Sequence, residues 1–133
     1  MRTLSVVITT PPSSYLTITA IDYITHAINA GIDVVGVFFY QDGVLNASAN
    51  ISIPNDEYQT HKQWQTLNEK HGINLHVCIT ACEKRGLSDE LAGEQSDQVN
   101  QSTSQSNISQ YFTVSGLGEL VELTARADKM VQF

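Results

Sequence analysis

An unbroken apolar run at residues 33–40, reading DVVGVFFY, constrains the fold more than any other feature of the sequence. Its length suits a strand, and a strand without a polar face is typical of a parallel sheet that is covered on both sides. Apolar residues recur at helical spacing from about Tyr15 until Gly31 ends that segment, and Asp42-Gly43 is a turn signal after the run. A helix followed by a fully buried strand predicts an α/β fold.

The rest of the chain continues to alternate between strand patterns and helix patterns. We predict further strands at residues 4–9, 73–79, 111–114 and 129–133, and helices from 55 or 56 to about 70, through 82–85, at 88–93 and at 117–127. This order predicts an α/β fold with a mainly parallel five-stranded sheet and helices on both faces, a Rossmann-like three-layer sandwich. Residues 94–110 are rich in Gln, Ser and Asn and predict a polar surface loop.

Size and charge narrow the possible functions. A chain of 133 residues suits one compact domain, which we place over residues 1–133. Seven basic and fourteen acidic residues give a net charge of −7, which argues against direct binding to nucleic acid or to anionic membranes. The apolar runs are too short to span a bilayer, and the first residues do not read as a signal peptide. We therefore expect a cytoplasmic protein.

Cys78 is the strongest candidate for chemistry, because it stands where the third predicted strand gives way to a helix. The carboxyl ends of parallel strands are where such folds place their sites. A thiol at a helix N-terminus has a lowered pKa, which favours the reactive thiolate, and a strand end is open to a partner. The alternative is a buried and inert cysteine, since free cysteines are among the most buried residues.

Cys82 and His76 flank this position. The spacing C-x-x-x-C differs from the C-x-x-C of redox and zinc motifs, so Cys82 is either a resolving thiol or a small packed residue. His76 lies two residues before Cys78, so both side chains point to the same face of an extended strand. It could help to hold a thiolate, or be a hydrogen-bonded histidine at the sheet surface. The histidines and cysteines show no zinc-ligand spacing, and we expect no metal.

Gly116-Leu-Gly118 follows a strand and begins a helix, as dinucleotide-binding glycines do. Val121 stands where that fingerprint requires Gly or Ala, and the chain ends before the acidic residue that it also needs. We therefore reject nucleotide binding. The two glycines are expected to allow close packing of the strand against the helix.

Three stretches carry a resemblance to a known family. They are residues 37–47 (VFFYQDGVLNA), 64–86 (WQTLNEKHGINLHVCITACEKRG) and 112–133 (FTVSGLGELVELTARADKMVQF). They resemble the DsrE/TusD-like sulfurtransferase family, and most closely its TusD sulfur-carrier subunits. The resemblance implies a DsrE-like fold and a persulfide on Cys78, with no cofactor.

The same resemblance implies partners. Cys78 would accept sulfane sulfur from a TusA-like donor and pass it to a TusE-like acceptor, for 2-thiolation of a tRNA wobble uridine by a separate enzyme. TusB- and TusC-like subunits would complete a heterohexamer, a dimer of heterotrimers. Three alternatives stay open: a DsrE-like subunit in bacterial sulfur oxidation, a non-catalytic structural subunit of a TusBCD-like complex, and a dithiol switch formed by Cys78 and Cys82.

Overall fold

A computed structural model describes residues 2–88 and 106–133. Within these residues, five strands form one parallel sheet in the order β4-β3-β2-β1-β5. In chain order, the elements are β1 Thr3–Ile8, α1 Tyr15–Asn29, β2 Asp33–Phe39, a 3₁₀ helix Gln41–Ala47, α2 Thr60–His71, β3 Leu75–Cys78, α3 Ile79–Glu83, β4 Thr113–Ser115, α4 Leu117–Arg126 and β5 Lys129–Gln132. The predicted parallel five-stranded sheet is confirmed.

Helices cover both faces of the sheet, as the sequence predicts. The ring of Phe39 on β2 packs edge-on against Trp64 of α2, with 4.8 Å between the ring centroids. Gly36 lies three residues earlier on the same strand, and a Cβ there would come within 2.8 Å of Leu123 on α4. Residues three apart on a strand point to opposite faces, so α2 and α4 lie on opposite sides of the sheet.

The strand order explains why α4 is on its own side. From β1 to β4 each connection moves one strand along the sheet, whereas the connection from β4 returns across the sheet to place β5 beside β1. Parallel crossovers are right-handed, so reversing the direction of travel puts the connecting helix on the other face. We call the surface covered by α4 the α4 face. Because a strand's odd and even residues alternate, Gly36 and Phe38 of β2 belong to it.

Helix α2 begins at Thr60, so the predicted start at residue 55 or 56 is wrong. A turn occupies the positions before it, closed by a 3.0 Å hydrogen bond from the Glu57 amide to the Pro54 carbonyl. The Gln59 side-chain amide donates to those same two residues, at 2.8 Å to the Pro54 carbonyl and 3.1 Å to the Glu57 carbonyl. These bonds hold the chain in a turn until Thr60.

The predicted polar loop at residues 94–110 needs correction at its C-terminal end. Ile108 forms an antiparallel bridge with Ser48, and Ser109 is buried, so residues 106–109 pack against the core. The strand predicted at 111–114 begins at Thr113, because a turn precedes it. Residues 94–105 and most of the short helix predicted at 88–93 lie outside the described residues. The short helix predicted through 82–85 is α3, which begins earlier.

The glycine that lies against neighbouring backbone is not one of the two that the sequence suggests. A Cβ added to Gly116 or Gly118 would meet nothing within 4 Å, so the expectation of tight strand–helix packing there is wrong. The N-terminal end of α4 stands free of the sheet at these positions. Gly43 is the crowded glycine, because a Cβ there would collide with the backbone carbonyl of Ile8. The 3₁₀ helix therefore lies directly on the end of β1.

Asn46 joins three segments of the chain at the carboxyl edge of the sheet. Its buried side-chain amide donates to the carbonyls of Thr10 at 3.0 Å and Gly43 at 2.9 Å. Its Oδ1 accepts a 3.0 Å bond from Nε1 of the fully buried Trp64. A single satisfied side chain thus links the loop after β1, the 3₁₀ helix after β2, and α2.

Replacement of Asn46 tests this link. Asn46→Ala leaves the buried Trp64 N–H without its acceptor and removes the amide donor to the Thr10 and Gly43 carbonyls, so it should lower the free energy of unfolding by about 2–3 kcal/mol. Urea denaturation of Asn46→Ala measures the loss. Asn50→Ala removes the same side chain at an exposed position nearby and should leave the free energy of unfolding within about 0.5 kcal/mol of wild type. Equal stability of the two variants would contradict the role given to Asn46.

Candidate functional site

Cys78 ends β3 at the carboxyl edge of the sheet, and α3 starts at the next residue. Its backbone is extended, with φ −68° and ψ 123°, which lets it serve as the N-cap residue of α3. Strand β3 pairs with β2 on one side and β4 on the other, so Cys78 sits inside the sheet and not at its rim. The predicted position at a strand-to-helix junction is confirmed.

The thiol is buried in the chain on its own, as in the buried alternative that the sequence left open, and is not open at the strand end. Cys78 is 2% exposed and belongs to the continuous apolar core. Helix α3 begins directly after Cys78 and lies against β3 and the 3₁₀ helix at the same edge of the sheet. A reagent or partner reaches this sulfur only when that edge opens.

Cys82 lies one turn into α3 and is equally buried, with 1% exposure. Both cysteines are free thiols. Burial, and then the neighbouring Cys78, raise the pKa of the Cys82 thiol to about 11, although Arg85 acts in the opposite direction. Cys82 therefore stays a neutral thiol at physiological pH, which disfavours it as an attacking or resolving thiolate.

His76 stands two residues before Cys78 and is held from two sides. Its Nδ1 lies 3.0 Å from the Ser115 hydroxyl on β4, and its Nε2 lies 3.7 Å from a carboxylate oxygen of Glu119 on α4. Burial lowers the pKa of the imidazole, Glu119 raises it, and Arg126 lowers it. The structure thus brings His76 together with a hydroxyl and a carboxylate at the strand end where Cys78 lies.

Ser115 and Glu119 are absent from the candidates that the sequence suggests. The available signal was positional: Ser115 ends a parallel strand, and Glu119 lies in the first turn of the following helix. The sequence gave no indication that these two residues contact His76, because the contacts run from β3 to β4 and from β3 to α4. Only the register of the two strands reveals it.

An ion pair joins the 3₁₀ helix to the residues after α3, at the edge of the sheet where Cys78 lies. The Arg85 Nε lies 2.9 Å from a carboxylate oxygen of Asp42, and an Arg85 guanidinium nitrogen donates to the Ala81 carbonyl at 3.1 Å. Gln41, beside Asp42, has φ +52°, a left-handed conformation that is uncommon for a residue with a side chain. This strained turn and the ion pair connect the 3₁₀ helix to the C-terminal end of α3.

A groove of about 840 Å³ opens elsewhere, beside Pro11 and Pro12. Tyr15, Ile51 and Tyr58 contribute to its walls, and none of Cys78, Cys82 or His76 lines it. In residues 2–88 and 106–133 there is no group of three His, Cys, Asp or Glu side chains placed to hold a metal ion. Among the same residues, no helix combines the length and apolarity needed to cross a membrane.

The comparisons with known proteins agree on one family. The DsrE/DsrF-like family model matches residues 1–133. A protein named sulfurtransferase TusD from Enterobacter sp. (strain 638) is 37% identical over 114 residues, which cover 86% of this chain and 85% of that protein. The protein of the same name from Klebsiella pneumoniae subsp. pneumoniae is 38% identical over 106 residues, covering 80% and 79%.

A solved structure shares the fold. The crystal structure of the ychN protein from E. coli superposes with a TM-score of 0.72 and covers all of both chains. The sequence identity is 18%, so this likeness concerns the fold alone.

The raised pKa of Cys82 can be tested directly. In Cys78→Ala, Cys82 is the sole thiol, since the sequence holds two cysteines. We expect its thiolate absorbance in the ultraviolet to appear with a midpoint well above the ordinary cysteine range, because burial, the larger of the two causes that raise the pKa, remains when Cys78 is removed. Unfolding the same variant in urea should return the midpoint to the ordinary cysteine range. A native midpoint in that ordinary range would contradict the burial of Cys82.

Proposed function

Because the chain belongs to the DsrE/DsrF-like family, we propose that Cys78 carries sulfane sulfur as a persulfide in a sulfur relay. The chain is a sulfurtransferase, like the relatives that bear that name. The observation that carries the proposal is the place of Cys78 at the carboxyl end of an internal parallel strand, where α/β sheets position reactive groups. Cys82, with its raised pKa, is the weaker nucleophile of the two thiols.

The chemistry is thiol exchange. The Cys78 thiolate attacks the outer sulfur of a donor persulfide, the S–S bond of the donor breaks, and the donor leaves as a thiolate while Cys78 becomes Cys78–S–SH. An acceptor thiolate then attacks the outer sulfur of Cys78–S–SH and regenerates the Cys78 thiolate. Both steps conserve electrons, so the relay proceeds without a cofactor.

The partners follow from the family. We propose a TusA-like donor, a TusE-like acceptor, and TusB- and TusC-like subunits in a heterohexamer, with wobble-uridine thiolation of tRNA in the cytoplasm as the outcome. Docking of a partner must uncover the thiol, which is 2% exposed in the isolated chain. Ile79 and Leu117, which follow the ends of β3 and β4, are 41% and 49% exposed and offer apolar contact beside the thiol.

The burial of Cys78 favours a second candidate function, a structural subunit that assembles with its partners and carries no sulfur. A free cysteine with 2% exposure fits a core residue as well as a guarded carrier. In that case Cys78→Ala would leave tRNA thiolation intact in cells that lose it when the whole gene is deleted.

Sulfur loading separates the two functions. We expect the protein, incubated with a persulfidated TusA-like carrier or with glutathione persulfide, to gain the mass of one sulfur atom on Cys78. Intact-mass and peptide mass spectrometry locate the added sulfur. Cys78→Ser should take up none, because a hydroxyl does not attack a persulfide, while the matched variant Cys82→Ala should load like wild type.

Two results would overturn the carrier function. One is the absence of added sulfur on Cys78 with either donor. The other is equal loading of Cys78→Ser and wild type, which would place the sulfur on Cys82.

A further inference from the structure

The groove beside Pro11 and Pro12 is a surface that the sulfur chemistry does not use. Its volume of about 840 Å³ is within the range of ligand-binding clefts. The lining residues belong to the loop after β1, to the 3₁₀ helix and the segment after it, and to the first turns of α1 and α2. These segments lie at the carboxyl edge of the sheet, where Cys78 ends β3. An occupant of the groove would therefore be held at the edge that also holds the thiol.

Stiff and apolar groups make up much of the lining. Pro11, Pro12 and Pro54 each have a fixed backbone φ, which limits the freedom of the chain around the groove. The side chains of Tyr15 and Tyr58 are 87% and 37% exposed, so aromatic surface faces solvent here. Exposed aromatic rings on a chain with little freedom are typical of peptide-recognition grooves, because little entropy is lost when a peptide binds.

The charge at this groove is acidic. Glu57 lines it, and burial, followed by the Asp22 carboxylate of α1, raises the pKa of Tyr58, so a second carboxylate acts on the same ring. Among the described residues that line the groove, there is no Lys, Arg or His. A cation is attracted both to carboxylates and to the face of a tyrosine ring, whereas the same carboxylates repel an anion. The groove therefore suits an occupant with a basic side chain.

One part of the lining also presents backbone amides. The chain pairs just before it, with bonds of 2.8 Å from the Ala49 amide to the Asn107 carbonyl and 2.7 Å from the Ser109 amide to the Ala47 carbonyl. In residues 2–88 and 106–133, the amides of residues 51–53 donate no hydrogen bond. The carbonyls of an extended peptide can accept hydrogen bonds from successive amides, as they do when a strand is added to a sheet edge.

Charge also indicates that the occupant comes from another protein. Residues 89–105 contain four acidic residues and no basic residue, so this part of the chain supplies no cation. A second copy carries the same net charge of −7 and is repelled overall. A partner protein of different sequence is the occupant that the charges favour.

We propose that this groove binds an extended segment of a partner protein in which an Arg or Lys side chain stands between apolar residues. The basic side chain lies against the ring of Tyr58, near the carboxylates of Glu57 and Asp22. The flanking apolar residues contact Tyr15 and Ile51. The groove is a docking site, and its binding of a peptide does not depend on whether Cys78 carries sulfur.

The test is a titration with short synthetic peptides, followed by NMR of the ¹⁵N-labelled protein. The probe is the acetylated and amidated peptide Leu-Pro-Arg-Pro-Leu, in which the prolines favour an extended chain, together with the versions that carry Lys or Gln at the centre. We expect the Arg and Lys peptides to shift the amide signals of residues 51–53 in a saturable manner. The Gln peptide should bind about two- to fivefold more weakly, because it loses the attraction of the ring and the carboxylates.

Variants of the groove identify the source of this preference. Glu57→Gln and Tyr58→Leu should each bring the affinities of the Arg and Gln peptides closer together, since one loses a carboxylate and the other the ring. Glu69→Gln is the matched control, because it removes the same charge at an exposed position near the other end of α2. It should keep the full preference for the Arg peptide.

Several results would overturn the proposal. They are the absence of saturable shifts with both basic peptides, equal affinity for the Arg and Gln peptides, and shifts confined to residues outside the groove. Groove signals that shift with protein concentration alone would identify a second copy as the occupant. Groove signals that shift when residues 94–105 are replaced by a Gly-Ser linker, without any peptide, would identify that segment as the occupant.

Sulfur loading keeps this inference distinct from the proposed function. Glu57→Gln should load Cys78 from glutathione persulfide like wild type, because a small donor does not need the groove. If Cys78 loads and no peptide binds, only the docking site fails. If the basic peptides bind and Cys78 never loads, only the carrier function fails.

Discussion

The hydrogen bonds of the Asn46 side chain hold together the carboxyl edge of the sheet, and the positions of the 3₁₀ helix and α3 depend on them. They connect the loop after β1, the 3₁₀ helix after β2 and the Trp64 ring of α2, all at the carboxyl ends of the strands. A buried amide with every partner present is stable, whereas a missing partner would leave buried polar groups unpaired. Because Gly43 also lies against the Ile8 carbonyl, the 3₁₀ helix has one position, and α3 packs on it. The edge of the sheet at which Cys78 lies is therefore held together by Asn46.

A sulfur carrier places two conflicting requirements on its thiol, access for partners and protection from water. A sulfur carrier needs a thiol that partners can reach, and the isolated chain buries the thiol to 2% exposure. Burial also excludes water, which protects a reactive intermediate from loss to solvent. The ion pair between Asp42 and Arg85 lies at this edge and is partly exposed to solvent. Exposed ion pairs contribute only about 0–1 kcal/mol to the free energy of unfolding. Breaking this ion pair therefore costs little compared with breaking the buried hydrogen bonds of Asn46.

Much of the fold was predictable because it follows from local patterns. The apolar run at residues 33–40 identified a strand buried on both faces, and the alternation of elements identified the parallel sheet. The errors came from interactions between side chains and distant backbone. Gln59 delays the start of α2, Ile108 pairs with Ser48, and the crowded glycine is Gly43 instead of Gly116 or Gly118. None of these contacts leaves a periodic signal in the sequence.

The sequence by itself determined the class of fold and the strand-end position of Cys78, because hydrophobic periodicity and turn residues act over a few neighbouring positions. Only the tertiary structure decided what surrounds the thiol. The strand register places Ser115 beside Cys78, and the return crossover brings Glu119 of α4 to His76. Packing of the assembled core removes both cysteines from solvent. These contacts join residues about 40 positions apart, and they exist only once the sheet has assembled.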